Sequence, residues 1–348
     1  NIGQQAQIPD FLNQTWFGIL TNCKFDWISA KKKLHSQSIF SPMRKILVIA
    51  FLLTPFLTMS QQWKKTRKEV IFGLGAANIL GDLGGADQIG THLMKDLEIS
   101  LTRPTIAGGY RYKLSPTMAV KGYGGWARLA GNDLLTNEPS RNNRNLSFRT
   151  NIFTASAQFE YSVIEEKARS RYARRGRRFP LNVYFFGGLG LFYFNPEAQY
   201  LDGKWYKLKP LRTEGQGLAT VNIDGKTIEP GKDYSLIQLC IPLGIGFKYP
   251  INREWSIGLE YSITKTFTDY LDDVSGTYYP NDAIRAAYGD VAAYFADPST
   301  TPTRVAPIKG GTNPGEKRGE TTYNDSFMFA WLYVGYKITG TSKSRVKF

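Results

Sequence analysis

The feature that most constrains the fold is a two-residue alternation of apolar and polar side chains. In SLIQLCIPLGIGFKY, residues 235–249, every odd position from 237 onward is Ile, Leu, Phe or Tyr, and the even positions are polar or small. WSIGLEYSITKT (255–266) and FTASAQFEYSV (153–163) repeat the pattern. Because successive side chains of a strand point to opposite faces, this alternation predicts long strands with one apolar face.

Eight such segments recur between residues 70 and 339, which predicts an all-β domain. A soluble sandwich would show the same alternation, with its apolar faces packed inward. Here, however, the apolar faces continue over six or seven positions, and about 9–11 residues of tilted strand suffice to cross a bilayer. The segments cover residues 70–81, 103–114, 118–130, 146–163, 181–194, 235–249, 255–268 and 326–339.

The lengths of the connections favour a membrane barrel over a sandwich. Residues 115–117 and 250–254 are short connections and 164–180 is of medium length, whereas 82–102, 131–145, 195–234 and 269–325 are long. Long loops at one end and tight turns at the other are typical of transmembrane barrels, in which the short turns face the periplasm. The sequence therefore predicts an eight-stranded antiparallel transmembrane up-and-down β-barrel in the bacterial outer membrane. Its long loops would be extracellular, and its short turns and both termini periplasmic.

The stretch MRKILVIAFLLTPFLTMSQQ, residues 43–62, has the parts of a secretory signal peptide. Two basic residues precede an apolar run over 46–59, which as a helix is about 21 Å long and too short for the roughly 30 Å hydrocarbon core. The alternative is a leader with an unusually long charged segment, which the lysine triplet at 31–33 supports. The division that we expect is an upstream extension over 1–42, a signal peptide over 43–60 and the barrel over 61–348.

The polar faces of the predicted strands should line the lumen. An eight-stranded barrel is only just wide enough for its own side chains, so glycines and a few charged residues facing inward predict a polar plug instead of an open pore. The residues that we assign to the lumen are Gly122, Gly124, Gly188, Gly190, Gly244, Gly246, Lys121, Glu160, Lys248 and Glu260. Aromatic residues near strand ends suit interfacial belts. They are Tyr112, Trp126, Tyr249, Trp255, Trp331 and Tyr336.

The chain has few histidine and cysteine side chains, two common kinds of catalytic base and nucleophile, which disfavours an enzymatic function. Downstream of the signal peptide the chain has one histidine, His92, in a predicted loop, and one cysteine, Cys240. Outer-membrane hydrolases generally need a histidine as base, and a single cysteine can form neither an intramolecular disulfide nor a cysteine-based metal site. We therefore predict a non-enzymatic protein with no catalytic residues, no cofactor and no metal.

The charge of the chain predicts its partners. The formal net charge is +15 at pH 7, and an exported basic protein more often meets lipid head groups or acidic partners than nucleic acid. Much of this charge lies in EEKARSRYARRGRRF, residues 165–179, which the topology assigns to the periplasm. Two interpretations stay open: a solvated run that contacts inner-leaflet phosphates, or an electrostatic dock for an acidic periplasmic partner. The candidate partner-binding residues are Arg169, Arg171, Arg174, Arg175, Arg177 and Arg178.

The loop over 269–325 has 57 residues, and loops of this length are usually functional or disordered. Around YLDDVSG three carboxylates, Asp269, Asp272 and Asp273, lie close together in sequence. Calcium could bind them, but a carboxylate-rich turn that caps its own backbone amides is favoured because the spacing matches no known calcium loop. Further on, DAIRAAYGDVAAYFAD (282–297) has near-helical apolar spacing and predicts a short helix over the barrel mouth.

Four stretches together resemble a known family. They are RPTIAGGYRYKLSP (103–116), FGGLGLFYFNPEAQYLDGKWYKLKPLRTEGQG (186–217), IPLGIGFKYPINREWSIGLEY (241–261) and FTDYLDDVSGTYY (267–279). These stretches resemble the PorG-like outer-membrane β-barrel family. Its best-known member belongs to the type IX secretion system, where it sits in the outer membrane and associates with the periplasmic ring. The resemblance implies no catalytic residues.

The residues and the resemblance together predict a non-enzymatic outer-membrane anchor or assembly component, most specifically of a type IX (Por) protein secretion system. The implied partners are outer-membrane lipid and periplasmic ring or lipoprotein components of that system. The alternatives are a narrow channel or transporter and a surface adhesin of unknown ligand.

Overall fold

Eight long antiparallel strands dominate the computed structural model, which describes residues 66–83, 101–135, 139–165, 180–300 and 311–339. All eight predicted strands are confirmed, and their ends differ from the predicted ones by at most two residues. They are β1 (Lys68–Leu80), β2 (Arg103–Lys113), β3 (Met118–Asn132), β4 (Ser147–Ile164), β5 (Asn182–Tyr193), β6 (Ile237–Pro250), β7 (Trp255–Thr266) and β8 (Ser326–Ile338).

The strands close into a barrel because each pairs with both of its neighbours in sequence and the first pairs with the last. The contact between β1 and β8 runs from Lys68 opposite Ile338 to Leu80 opposite Ser326. Closure leaves no open sheet edge, which a bilayer requires because it offers no water to unpaired backbone groups. Across the described ranges, the helices are all too short or too polar to span a membrane.

The outward faces of the strands are apolar and exposed, as the alternation predicts. On β1, outward Val70, Phe72 and Leu74 alternate with buried Glu69 and Ile71. Phe72 is 59% exposed and Leu74 60%. A soluble protein rarely leaves a continuous apolar surface in water, whereas a membrane barrel presents an outward apolar band to lipid.

Aromatic residues lie near both ends of this outward band, as the predicted belts require, with one exception. Trp255 and Tyr336 are outward neighbours, and their ring centroids are 4.9 Å apart. The prediction for Trp331 is wrong, because its side chain lies in the lumen and is only 2% exposed. Outward Leu332 is the next residue on β8, so the alternation itself points Trp331 inward.

The lumen prediction is confirmed for most of the glycines. A Cβ at Gly246 would overlap the ring of Tyr184, so the missing side chain lets this tyrosine lie across the lumen. Gly122 and Gly124 are predicted wrongly: they point outward, because Lys121 beside them points inward. The inward glycines are Gly188, Gly190, Gly244 and Gly246.

The connections differ between the two ends of the barrel. At one end, here called the turn end, residues 114–117 and 251–254 form tight turns. In the second turn the Asn252 side chain accepts hydrogen bonds from two backbone N–H groups, at 2.7 and 2.8 Å. At the other end, here called the loop end, the described connections are longer. They cover residues 133–146, 194–236 and 267–325.

These long connections fold into a cap at the loop end. The cap contains α1 (Pro139–Arg144), α2 (Asn281–Tyr288), α3 (Asp290–Ala296) and two hairpins, Glu197–Gln199 with Trp205–Lys207 and Val221–Ile223 with Lys226–Ile228. The single helix predicted over 282–297 is thus two helices, which meet at Gly289, where φ is +91°. Loop residues Leu271 and Phe295 share one buried apolar cluster with the strand residues Leu129 and Ile152. This cluster fills the loop end of the barrel.

Candidate functional site

The arginines predicted to bind a partner all lie between residues 166 and 179, outside the described residues. The flanks of this segment are described. Ile164 pairs with Val183, and the Asn182 side chain donates a hydrogen bond to the carbonyl oxygen of Ile164 at 2.7 Å. The connection that carries the arginines therefore begins and ends at the turn end of the barrel. Its role in partner binding stays a prediction.

The described residues hold a dense ionic network inside the barrel. Arg111 is at its centre and is 2% exposed. This guanidinium donates to Glu160 at 2.5 and 3.0 Å, to Glu69 at 3.0 Å and to Glu260 at 3.1 Å. One arginine can bridge three carboxylates because a guanidinium carries five N–H donors in a rigid fork. The lumen network, as we name it, consists of Glu69, Arg111, Lys121, Glu160, Lys248 and Glu260.

Two lysines complete the lumen network. Lys121 Nζ lies 2.8 Å from each carboxylate oxygen of Glu260. Lys248 Nζ lies 3.2 Å from Glu69 Oε2. Three cations thus face three carboxylates. Each of these buried charges therefore has a partner of opposite sign, which avoids a cost of several kcal/mol for a buried charge without one.

Aromatic side chains surround the lumen network and bind to it. The Tyr184 hydroxyl donates to Glu260 Oε1 at 2.5 Å and lies 2.9 Å from the Tyr333 hydroxyl. Trp331 Nε1 donates to Glu260 Oε2 at 3.2 Å. The Arg111 guanidinium lies 5.1 and 5.5 Å from the ring centroids of the two tyrosines. Both oxygens of Glu260 therefore accept hydrogen bonds from the protein itself.

Four members of the lumen network are confirmed as inward-facing residues: Lys121, Glu160, Lys248 and Glu260. Glu69 and Arg111 also point inward, although neither is among the residues assigned to the lumen from the sequence. The available signal was the position of each along its strand, because Glu69 precedes outward Val70 and Arg111 follows outward Tyr110. A charged residue on the face opposite an apolar row of a membrane strand must point into the lumen.

A small cavity lies in the lumen on the loop-end side of the lumen network. Its volume is about 20 Å³, which accommodates about one water molecule. Its lining joins the network residue Glu260 to Tyr123, Gln158, Cys240 and Thr264. Ligand pockets are usually several hundred Å³, so this cavity is far smaller than a substrate site.

A second buried ion pair joins the two longest connections of the cap. Arg318 Nη1 donates to Glu214 Oε1 at 2.8 Å, and both side chains are almost completely buried. Glu214 also accepts the backbone N–H of Ser275 at 2.9 Å, and Arg318 donates to the carbonyl oxygen of Asp273 at 2.8 Å. Glu214 lies between β5 and β6, whereas Arg318 lies between β7 and β8. The pair therefore ties together segments that are remote in sequence.

Asp272, the second carboxylate of the acidic motif, ties the cap to the barrel. Its carboxylate accepts the backbone N–H of Leu83, just beyond β1, at 2.8 Å, and that of Val274 in its own turn at 3.1 Å. The capping of local backbone amides that the sequence predicts is confirmed for this residue. Burial raises the pKa of Asp272 well above its ordinary value, and the nearby Asp82 carboxylate raises it further.

The other two carboxylates of the motif have different environments. Asp273 accepts hydrogen bonds from the Thr213 hydroxyl at 2.7 Å and the Tyr234 hydroxyl at 2.6 Å. Burial raises the pKa of Asp273 to about 6, although the positive charge of Arg318 opposes the increase. Asp269 is only partly buried, and desolvation raises its pKa to about 7.

The acidic motif holds segments of the cap together. Within the part of the chain that the structure describes, no three Asp, Glu, His or Cys side chains are arranged to hold a metal ion. Asp272 and Asp273 bind separate sets of protein donors. These donors include Leu83, Thr213 and Tyr234, all remote in sequence, so the motif alone could not reveal its partners.

Comparisons with known proteins find similarity only to solved structures. No family model and no curated protein matches the chain. Ail of Yersinia pestis is 10% identical with a TM-score of 0.34, over 78% of this chain and 98% of Ail. Neisserial surface protein A is 10% identical with a TM-score of 0.33, over 78% and 97%. OprG from Pseudomonas aeruginosa is 11% identical with a TM-score of 0.28, over 79% and 98%.

By their names, the second of these proteins is a surface protein and the third is an outer-membrane protein. In the chain itself, eight paired strands close into a barrel whose outward faces are apolar. This is the architecture of an eight-stranded outer-membrane β-barrel.

Proposed function

We propose that this chain is a non-enzymatic anchor or assembly component of the bacterial outer membrane, with its turn end in the periplasm. The observation that carries the proposal is the lumen network, in which three buried cations and three buried carboxylates fill the barrel. A lumen that is filled by paired charges favours a membrane anchor over a channel or transporter, because it leaves no path for a solute. The function then falls to surfaces outside the lumen.

The basic segment over 165–179 is the surface that we assign to a partner. It contains seven Lys or Arg residues and two Glu residues. Opposite charge accelerates association and selects among partners, so this segment suits an acidic periplasmic protein. The resemblance to the PorG-like family supplies the class of partner: periplasmic ring or lipoprotein components of a type IX secretion system. Outer-membrane lipid surrounds the barrel itself.

Site-specific photo-crosslinking in the native host tests this proposal. A photo-reactive residue replaces Tyr172, inside the basic segment, and the products are identified by mass spectrometry. We expect a discrete periplasmic protein or lipoprotein that copurifies through moderate salt and is lost when Arg174, Arg175, Arg177 and Arg178 become Gln. The matched control replaces Tyr323, which is 76% exposed and precedes β8 at the loop end.

Each alternative outcome has a separate meaning. Crosslinks to lipid alone, unchanged by the arginine substitutions, would contradict docking and assign the arginines to inner-leaflet phosphates. A discrete partner that is not a secretion component would support docking and overturn the type IX assignment. A partner captured at Tyr323 but not at Tyr172 would move the function to the cap.

The folded cap favours a second candidate function, ligand binding at the cell surface. Its hairpin of Val221–Ile223 and Lys226–Ile228 is exposed along most of its length, with Ile228 buried at its base. Exposed hairpins on a rigid scaffold often carry binding residues. Replacing residues 222–227 by a short Gly/Ser linker should abolish cell-surface binding and leave the barrel folded. Unchanged binding would remove this hairpin from the candidate surface.

A further inference from the structure

The outward faces of β3 and β4 carry a layered pattern at the loop end that the anchor role does not explain. Trp126 pairs with Phe153, and Phe153 pairs with Tyr193, so the three form one lateral row. The rings of Phe153 and Tyr193 are 6.4 Å apart. A row of large aromatic residues at the edge of the apolar band has the composition of an interfacial belt.

Basic residues follow this row toward the loop end, on the same outward face. Arg128 lies two positions beyond Trp126, and Arg149 lies four positions before Phe153. Two positions along a strand advance about 7 Å, so Arg128 stands one such step beyond the aromatic row. Arg128 pairs with Asn151, and Arg128 and Arg149 are therefore diagonal neighbours, about 7–8 Å apart.

Contacts hold Arg149 in place and leave donors for a ligand. Its Nε atom lies 2.9 Å from Glu197 Oε1, and its Cζ atom lies 3.3 Å from the ring centroid of Trp205. A guanidinium has five N–H donors, and the Glu197 contact uses the one on Nε. Glu197 pairs with Lys207, whose side chain is exposed. The Nε atom of Arg128 is buried and has no hydrogen-bond partner among the described residues.

The outward charge of the barrel wall has a single sign. Along the eight strands as the structure describes them, the outward faces carry no carboxylate. The outward charged residues are Lys68 at the turn end and Arg128, Arg149 and Lys265 at the loop end. Cations at the edge of an apolar band meet the anionic head groups of the surrounding lipid. Only Arg128 and Arg149 are neighbours, because Lys265 lies four strands away from β3.

We propose that Arg128, Arg149 and Lys207 bind phosphate groups of the glycolipid that forms the outer leaflet of the outer membrane. The planar fork of arginine matches phosphate oxygens with two parallel hydrogen bonds, and Trp205 fixes the plane of one fork. The inference rests on the loop end facing outward, as in the proposed function, but it does not depend on any periplasmic partner.

The test uses the full-length folded barrel in lipopolysaccharide-free zwitterionic detergent. Bis-phosphorylated lipid A and the same lipid without phosphates are titrated in parallel, and binding is followed by native mass spectrometry. We expect removal of the phosphates to weaken binding about tenfold or more. In the double variant Arg128→Gln/Arg149→Gln, the phosphorylated lipid should lose about the same factor and the dephosphorylated lipid should not change.

Two further variants keep the test decisive. Lys265→Gln removes an outward cation at the same end and should bind like the wild type. Arg128→Lys/Arg149→Lys keeps both positive charges and should retain part of the preference for the phosphorylated lipid. Such retention would show that substitution at these two positions does not itself unfold the barrel. Equal affinity for the two lipids, or an unchanged double Gln variant, would overturn the proposal. Displacement of the lipid by millimolar inorganic phosphate would overturn the glycolipid as the source. The expected lipid affinities do not depend on a periplasmic partner. Absence of a crosslink from Tyr172 would therefore contradict the proposed function and leave the lipid-binding proposal standing.

Discussion

Arg111 and Glu160 form a two-point ion pair inside the barrel, with Nε to Oε2 at 2.5 Å and Nη2 to Oε1 at 3.0 Å. The two residues lie on β2 and β4, which β3 separates. Their side chains therefore meet across the lumen and not along a pair of adjacent strands. Because Arg111 also contacts Glu69 and Glu260, its guanidinium links four different strands of the barrel.

Replacing Arg111 by Gln should destabilise the barrel strongly. The change leaves Glu69, Glu160 and Glu260 with fewer cations, and removing one partner of a buried ion pair typically costs about 3–5 kcal/mol. Urea unfolding of the protein in lipid vesicles measures the free energy of unfolding. Lys68→Gln is the matched control, since it removes an exposed cation from β1 and should change this free energy by less than about 0.5 kcal/mol. Equal effects of the two substitutions would mean that the lumen network does not stabilise the barrel.

The barrel could be predicted from the sequence because lipid and lumen impose opposite requirements on alternate residues. This rule holds along all eight strands, so their number and ends followed directly. The same rule also corrects the errors. Trp331 precedes outward Leu332, and Gly122 follows inward Lys121, so both faces were readable from their neighbours. The assignments of Trp331, Gly122 and Gly124 are wrong because they follow the residue type, such as an aromatic residue near a strand end, and not the position in the alternation.

The contacts of the lumen network and the cap could not be predicted in this way. Arg111 reaches Glu260 across 149 positions of sequence, a proximity that exists only after the barrel closes. In the cap, Glu214 and Arg318 are 104 positions apart and lie in irregular segments without any period. Periodicity carries information about faces of regular elements, and it carries none about which loops meet.

Substituting Arg318 by Gln should loosen the cap and leave the barrel intact. Glu214 is fully buried, and the loss of its cation leaves an uncompensated charge that costs about 3–5 kcal/mol locally. Limited proteolysis of the folded protein in detergent should then cut the connections between β5 and β6 and between β7 and β8 faster than in the wild type. The control is Arg285→Gln, because Arg285 pairs with Asp282 and Asp290 at the exposed surface. Cleavage at the wild-type rate in Arg318→Gln would contradict a stabilising role for the pair.

The cap should be more resistant to protease at about pH 5 than at about pH 8. Folding raises the pKa of Asp269 from 3.8 to about 7 and that of Asp273 from 3.8 to about 6, so the folded cap favours their protonated forms. A raised carboxyl pKa contributes stability that is fully present below the unfolded value and is lost as the pH rises through the folded one. Proteolysis rates, calibrated at each pH on an unfolded substrate, measure this dependence.

Asp269→Asn supplies the matched variant for the pH prediction. Asparagine keeps the shape of the side chain without its charge. Between about pH 5 and about pH 8, the protease resistance of the variant should therefore fall less than that of the wild type, in which Asp269 has a pKa of about 7. Asp282→Asn should behave like the wild type, because the side chain of Asp282 is 98% exposed. Resistance that rises with pH in the wild type would contradict the assignment of Asp269 and Asp273 as destabilising anions at neutral pH.

The purified barrel should show no discrete conductance steps in planar bilayers. Two features block the lumen in series: the lumen network, centred on buried Arg111, and the apolar cluster of the loop end, which includes Leu129 and Leu271. An ion would have to displace paired charges in the first and lose its hydration in the second, and both steps are costly in a low-dielectric interior. An open porin recorded in the same bilayers shows that steps would be detected. Stable steps from the folded wild type would favour the channel alternative and contradict the anchor role, because a conducting lumen needs a continuous water path that this packing does not leave.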